Sequence, residues 1–131
     1  MGLRILIADD DRDTVWTLAT ILRDEGHSVQ GVHRGEEVLK AARFLKPDVA
    51  VIDLQMPGMS GYAVAQELRH MFYPLPVPML VAISGTWTQG SDRLLAQHIG
   101  FDHYLAKPCD PDELLRVLVP LAERATKLSG R

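Results

Sequence analysis

Six side chains that carry a carboxylate, hydroxyl or amine group stand at the ends of short apolar runs: Asp9, Asp10, Asp11, Asp53, Ser84 and Lys107. Carboxylates that cluster repel one another, and without a counter-charge at least one of them would have a raised pKa. Mg²⁺ removes this repulsion, because it prefers a few carboxylate or carbonyl oxygens together with waters and phosphate oxygens. A carboxylate beside such a metal can attack phosphorus and form an acyl phosphate. These residue types therefore indicate metal-dependent phosphoryl transfer.

Phosphoryl transfer requires little from a protein beyond neutralised equatorial oxygens and reacting groups held in line. Mg²⁺ on one side of the phosphoryl group, the Lys107 ammonium on a second and the Ser84 hydroxyl on a third would meet that requirement. The candidate side chains are far apart in sequence. The chemistry therefore needs a fold that brings four separate loops to one place.

Five apolar runs predict five strands, at residues 3–8, 28–32, 49–52, 79–83 and 104–106. Three runs are almost continuously apolar, as strands buried on both faces should be, whereas the second and fifth are weaker and suit the edges of a sheet. Apolar residues at helical spacing predict five helices between and after the strands, the first marked by Val15, Leu18, Ala19 and Leu22. This alternation predicts an α/β protein with a parallel sheet and a functional crevice beyond the carboxyl ends of its strands. The periodicity does not determine the order of the strands.

Local signals predict where several helices begin and end. Gly26 and Gly100 occupy positions typical of glycines that end a helix, and Pro47 closes the second helix. Asp110 is a typical capping residue for the last helix, which then has proline at its first position. Asp11 has two possible roles, because an aspartate at this position can cap the first helix or bind the metal.

The composition describes one globular domain. The chain has 131 residues, of which 47% are hydrophobic and 24% charged, and we divide it into a domain at 1–125 and a tail or linker stub at 126–131. The net charge is −3 and no basic run occurs, which argues against a nucleic-acid or membrane surface. One cysteine, Cys109, excludes an intrachain disulfide. The first apolar run is too short for a signal peptide, so we expect a cytoplasmic protein.

Four blocks of sequence resemble the signature blocks of response-regulator receiver domains: residues 5–11 (ILIADDD), 51–61 (VIDLQMPGMSG), 82–85 (AISG) and 104–108 (YLAKP). They occur in the family's order and spacing, and the resemblance covers residues 3 to 122. It implies a flavodoxin-like, doubly wound sheet of five parallel strands in the order 2-1-3-4-5, with five helices. It also implies a two-component signalling protein.

The resemblance assigns the acids. It implies that Asp53 is the phosphoacceptor, and that Mg²⁺ is bound by Asp9, Asp10, Asp53 and the backbone carbonyl of Gln55. In the family, positions that match Gln55 and Thr86 tune the lifetime of the phosphoryl group. Without the other blocks, Asp9 and Asp10 would be ordinary turn acids.

The resemblance also assigns the groups around the phosphoryl oxygens. Ser84 would bind one oxygen and change rotamer, and Lys107 would pair with another. Tyr104 would be the switch aromatic, although it also suits a plain core position near the sheet edge. The bond before Pro108 would be cis, which proline makes energetically accessible.

Two residues depart from the family pattern. Gly85 stands where many members have alanine, and we expect glycine to loosen the exit of the fourth strand. Cys109 is not the residue expected after Pro108, and its role stays open. Trp87, in the polar loop after Ser84, suits either a partner surface or packing against its own loop.

We predict one function from these residues and keep two alternatives. The leading one is a phosphoacceptor domain, not an enzyme, that takes its phosphoryl group from a histidine kinase or phosphotransfer protein and switches an unknown effector. Residues 100–108 resemble receivers fused to hybrid histidine kinases. A phosphatase of the haloacid dehalogenase type would need a second acid two residues after Asp53, where Gln55 stands. A phosphorylation-independent, receiver-like interaction module is the third reading, but such modules usually lose an acid or the lysine.

Overall fold

A computed structural model of the chain describes residues 2–85 and 90–129, with the backbone alone at 90–93 and 125–129. Strands and helices alternate along these residues. The strands are β1 (Arg4–Ala8), β2 (Ser28–Val32), β3 (Val49–Asp53), β4 (Met79–Ser84) and β5 (His103–Ala106). The helices are α1 (Arg12–Asp24), α2 (Gly35–Leu45), α3 (Gly61–Phe72), α4 (Gly90–Ile99) and α5 (Pro111–Ser129).

The strands form one parallel sheet in the order β2-β1-β3-β4-β5, which confirms the predicted fold class. The register aligns the strand ends that carry the candidate residues. Asp53 lies opposite Ile83 in the β3–β4 pair, and Ser84 lies opposite Ala106 in the β4–β5 pair. The loop that carries Lys107 therefore begins beside the end of β4.

Two apolar layers cover the sheet, one on each face. Alternate residues of β1 illustrate the division, since side chains of a strand point to opposite faces. Leu6 belongs to the layer built with α2, α3 and α4, whereas Ile5 and Ile7 belong to the layer built with α1 and α5. β3 is buried at every position, as its continuous apolar run predicts. The sheet is thus a rigid base for the loops at its carboxyl edge.

The helix ends follow the local signals. Asp11 caps α1, because its side chain accepts a hydrogen bond from the backbone N–H of Asp13 at 3.1 Å. Gly26 and Gly100 have φ of 96° and 114° just after α1 and α4.

Lys46, in the left-handed region at φ 49°, ends α2 before the buried Pro47. The Asp110 side chain accepts from the N–H of Asp112 at 2.9 Å at the start of α5.

The outer edge of β2 is partly covered by a side chain. Ser28 and Val32 bond through their backbone to the β1 side of the strand, so the backbone groups of Val29 point to the outer edge. The guanidinium of Arg23 donates to the Val29 carbonyl at 2.8 Å. One outward carbonyl of the edge strand is therefore already bonded.

Four strand boundaries differ by one residue from the sequence prediction. β1 begins at Arg4 and not at residue 3, and β5 begins at His103 and not at residue 104. Asp53 and Ser84 are the last residues of β3 and β4 and not the first residues after them, so the sheet itself holds their backbone. α5 continues to Ser129, and the domain boundary at residue 125 stays a prediction.

Among the described residues, no helix has both the length and the apolar character required to cross a membrane.

Replacing Gly61 by alanine is expected to destabilise the fold by about 1–3 kcal/mol, as overpacking of a close contact does. A Cβ at Gly61 would lie 2.6 Å from the Asp53 carbonyl oxygen and 2.7 Å from the Leu54 Cα. Both are backbone atoms, so α3 would have to move away from the end of β3. Urea unfolding measures the change.

Gly85→Ala is the matched control. Among the residues that the structure describes, a Cβ there meets only the Lys107 Cβ within 4 Å, at 3.9 Å, which is an ordinary contact. We expect it to leave stability unchanged or to raise it by about 0.4–1 kcal/mol through the unfolded chain. Equal losses in the two variants would show that the close contact at Gly61 is not the cause.

Stability should fall as the pH drops through the usual pKa of His27. Its Nδ1 accepts a hydrogen bond from the Leu3 N–H at 3.0 Å, and burial holds the pKa of this ring below the ordinary 6.5. Above pH 6.5 the ring is neutral in both states and contributes its full stability. Below it, the unfolded chain binds the proton more readily than the folded one, so stability is lost. His27→Asn, which keeps an acceptor, should lose less stability between pH 7.5 and 5.5 (both about one unit from the reference pKa of a free histidine); an identical loss contradicts this assignment.

Candidate functional site

Side chains from three strand ends meet at the carboxyl edge of the sheet. The ammonium of Lys107, after β5, lies 2.8 Å from Oδ2 of Asp53 and 3.2 Å from Oδ2 of Asp9. These residues are 54 and 98 positions from Lys107 in sequence. The parallel sheet brings them together because the carboxyl ends of its strands share one edge.

Asp53 is held by hydrogen bonds to both carboxylate oxygens. It is 1% exposed, at the end of the fully buried β3. Its Oδ1 accepts from the backbone N–H of Gln55 at 2.9 Å, and its Oδ2 accepts from Lys107 at 2.8 Å. The carboxylate is therefore oriented before any ligand binds.

Asp9 is fully buried, and only one of its oxygens has a hydrogen bond of good geometry. Oδ1 accepts from the backbone N–H of Asp11 at 2.9 Å. Oδ2 lies within ion-pair distance of Lys107, yet no donor among the described residues makes a hydrogen bond to it. Burial and the nearby Asp53 charge raise the pKa of Asp9, against the Asp11 hydrogen bond and Lys107, which lower it. A buried carboxylate oxygen that lacks a hydrogen-bond donor can be satisfied by a bound cation.

Asp9, Asp10 and Asp53 form a group of three carboxylates with one oxygen of each within 4.8 Å of the others. Asp10 is exposed, whereas the other two are buried. This set of hard oxygen donors, with an unsatisfied Oδ2 on Asp9, fits Mg²⁺. The residues present therefore fit the ion that the family resemblance implies.

Asp11 is not part of this group. Its carboxylate caps α1 and accepts from the Thr14 hydroxyl at 2.9 Å, and this bond lowers the pKa of Asp11. The geometry thus supports the capping reading of Asp11 over the metal reading.

Lys107 remains charged in this environment. Burial by itself would lower the pKa of Lys107, but the hydrogen bond and charge of Asp53 and then those of Asp9 raise it above its usual value. Lys107 therefore supplies a fixed positive charge to the site. The Lys107–Pro108 peptide bond is cis.

Ser84 and Tyr104 lie on the neighbouring strands β4 and β5. Ser84 is 2% exposed at the end of β4. Tyr104 is half-buried against the layer that contains α4, and its hydroxyl donates to the Phe101 carbonyl at 3.1 Å. Thr86 and Trp87 lie outside the described residues, so their predicted roles stay predictions.

A cavity of about 540 Å³ adjoins Lys107 between α1 and the start of α5. Its walls include Thr14, Leu18, Pro108 and Cys109. Burial raises the pKa of the Cys109 thiol to about 11, so the thiol is protonated at neutral pH and is a poor nucleophile. Cys109 is therefore part of the cavity wall and not a reactive group.

The sequence interpretation missed one neighbour of the site, His33. The five histidines show no ligand spacing, so nothing in the sequence marks this one. In the structure its ring contacts the backbone carbonyl of Asp9.

The model of the response regulator receiver domain family matches residues 5–119 of this chain. That is most of the chain, which therefore belongs to the response regulator receiver domain family.

Individual proteins agree with this assignment. The transcriptional regulatory protein CreB of Escherichia coli (strain K12) is 35% identical over 125 residues, which are 95% of this chain and 53% of CreB. The DNA-binding response regulator MtrA of Mycobacterium tuberculosis (strain ATCC 25618 / H37Rv) is 37% identical over 115 residues, which are 88% of this chain and 48% of MtrA. The chain thus spans about half the length of these relatives. Among solved structures, the receiver domain of the Francisella response regulator 1452 has a TM-score of 0.83 at 27% identity, and the match covers 95% of this chain and 99% of that one.

Asp9→Asn is expected to stabilise the protein in the absence of divalent metal, raising Tm by about 2–4 °C at pH 7. The raised pKa of Asp9 means that ionising this group is harder in the fold than in the unfolded chain. Its contribution to stability is therefore lost as the pH rises through the pKa of the folded state, and at pH 7 it opposes folding. Thermal unfolding in EDTA measures the change.

Asp11→Asn is the matched control for this substitution. Asparagine still caps α1, and the lowered pKa of Asp11 means that its charge does not oppose folding. We expect no rise in Tm. A fall in the Tm of Asp9→Asn under the same conditions would contradict the role given to burial and repulsion.

Proposed function

We propose that this domain takes a phosphoryl group from a phosphohistidine of a histidine kinase or phosphotransfer protein onto Asp53, in a Mg²⁺-dependent reaction. The observation that carries the proposal is the 2.8 Å contact between Lys107 and the buried Asp53, inside a group of three carboxylates. A lysine at this position neutralises a phosphoryl oxygen once the carboxylate has reacted. A plain surface salt bridge would not need two further acids.

The nucleophile is a carboxylate oxygen of Asp53. It forms a bond to phosphorus while the phosphorus–nitrogen bond of the donor breaks, and the bonding electrons stay on the imidazole nitrogen. The Gln55 N–H and the Lys107 ammonium hold the carboxylate, so orientation is established before the donor arrives. Burial of Asp53 keeps bulk water away from its oxygens.

The acids around Asp53 would hold Mg²⁺ through Asp9, Asp10, Asp53 and the backbone carbonyl of Gln55. When bound, the ion neutralises charge on the phosphoryl oxygens during transfer. Asp9 is buried and so has a fixed position, whereas Asp10 is exposed and offers its carboxylate from the solvent side. The unsatisfied Oδ2 of Asp9 supports this assignment.

The output is a change of conformation at the end of β4 and at β5. A phosphoryl group adds up to about two negative charges and three acceptor oxygens. Ser84 would bind one of these oxygens and Tyr104 would then move inward, which alters the surface of α4 and β5. A difference of a few kcal/mol between two conformations is sufficient for such a switch.

The protein is proposed to be a regulatory phosphoacceptor and not an enzyme acting on small phosphoesters. Gln55 stands two residues after the nucleophile, where a phosphatase of the haloacid dehalogenase type has its general acid. MtrA is a DNA-binding response regulator, whereas the effector of this chain stays unknown. A cytoplasmic location and a hybrid-kinase origin stay predictions from the sequence.

Incubation with Mg²⁺ and a small phosphodonor such as acetyl phosphate should add one phosphoryl group per chain, read by intact mass. Asp53→Asn should abolish the addition, because the amide is not a nucleophile towards phosphorus. EDTA should suppress it in the wild type.

Asp48→Asn is the control for loss of a partly buried acid. Asp48 lies at the opposite edge of the sheet, where it accepts from the Arg4 N–H at 2.8 Å, and an amide oxygen can replace it. This variant should react like the wild type. No addition to the wild type would favour the phosphorylation-independent interaction module, and addition to Asp53→Asn would show that another residue is the acceptor.

A further inference from the structure

His33 follows β2 directly and reaches the loop that carries the two acids of β1. Its Nδ1 lies 3.0 Å from the backbone carbonyl oxygen of Asp9. A carbonyl oxygen only accepts, so Nδ1 carries the hydrogen and donates. The ring is half-buried, and its side chain bridges two loops that are 24 residues apart in sequence.

The bond fixes a particular part of the backbone. The Asp9 carbonyl belongs to the peptide plane that joins Asp9 to Asp10, and this plane is rigid. A hydrogen bond to its oxygen therefore also fixes the orientation of the Asp10 backbone nitrogen, which lies in the same plane. The N–H of Asp9 also donates to the Val32 carbonyl at 3.1 Å, so the end of β2 holds this acid through both of its backbone groups.

Asp10 is the acid that needs this support. It is exposed, and over residues 2–85 and 90–129 no hydrogen bond or ion pair involves its carboxylate. Asp9, in contrast, is held by burial and by the Asp11 N–H. Asp10 is therefore positioned through its backbone.

His33 is itself fixed from the other side. Its backbone N–H donates to Oε1 of Glu37, in the first turn of α2, at 3.2 Å. The backbone of His33 is thus tied to the start of α2. Two hydrogen bonds of His33 therefore connect Glu37 with the Asp9–Asp10 peptide.

We propose that His33 is a positioning residue for the magnesium site, which orients the Asp9–Asp10 peptide by donating from Nδ1 to the Asp9 carbonyl. This inference rests on the proposed function, because it concerns the affinity of the same acids for Mg²⁺. Residues that orient metal ligands without touching the metal change metal affinity about 10- to 100-fold when they are lost.

The test is the dissociation constant for Mg²⁺, measured by calorimetric titration of the unphosphorylated protein with MgCl₂. His33→Ala should bind Mg²⁺ about 10-fold more weakly than the wild type, whereas His33→Asn should stay within about two-fold, because its amide nitrogen occupies the place of Nδ1. Phosphorylation of His33→Ala by acetyl phosphate should be slow at low Mg²⁺ and recover at saturating Mg²⁺. If His33→Ala does not fold, His33→Leu keeps the bulk without the donor and should show the same loss.

His27→Ala is the matched control, because His27 also bonds to a backbone group beside β1, the Leu3 N–H, but at the end of the strand remote from the site. It should lower Tm and leave the dissociation constant for Mg²⁺ unchanged. The inference is overturned if His33→Ala binds Mg²⁺ like the wild type, if His33→Asn is as weak as His33→Ala, or if His27→Ala weakens binding equally. Wild-type protein that binds no Mg²⁺ would instead contradict the proposed function, and the inference with it.

Discussion

The ammonium of Lys107 lies between two buried carboxylates, 2.8 Å from Asp53 and 3.2 Å from Asp9. Two buried acids this close to one cation are not fully neutralised by it, and a buried ion pair is a poor source of net stability. The arrangement therefore serves the site more than the fold. It keeps one nucleophilic carboxylate oriented and leaves negative charge in excess, which a divalent cation can neutralise.

The rest of the molecule makes this arrangement rigid. The two apolar layers hold five parallel strands so that β1, β3, β4 and β5 end at one edge. Caps then fix the helices that follow: Asp11 at the start of α1 and Ser60, which accepts from the Ala63 N–H at 3.2 Å, at the start of α3. Short loops between rigid elements leave the acids little freedom, and pre-organisation of this kind favours fast group transfer.

The sequence predicted the elements well because buried strands and amphipathic helices have distinct periods. It did not predict the strand order, since the period of a buried strand is the same at every place in a sheet, and the order came from the family resemblance. The candidate acids and Lys107 were found because each ends an apolar run. Asp11 kept two readings until its bond to the Asp13 N–H was seen. His33 could not be found at all, because its importance lies in one contact with a backbone atom 24 residues away.

The bond between Arg23 and the Val29 carbonyl has a consequence for the behaviour of the whole molecule in concentrated solution. An open edge strand is a template on which another chain can add, and stacking of this kind leads to aggregates. β2 is short and carries a guanidinium over one of its outward acceptors, so an incoming strand meets a positive charge and one acceptor fewer. Sheet growth is thereby discouraged on the side of the domain away from β5, without any residue of the reactive edge taking part.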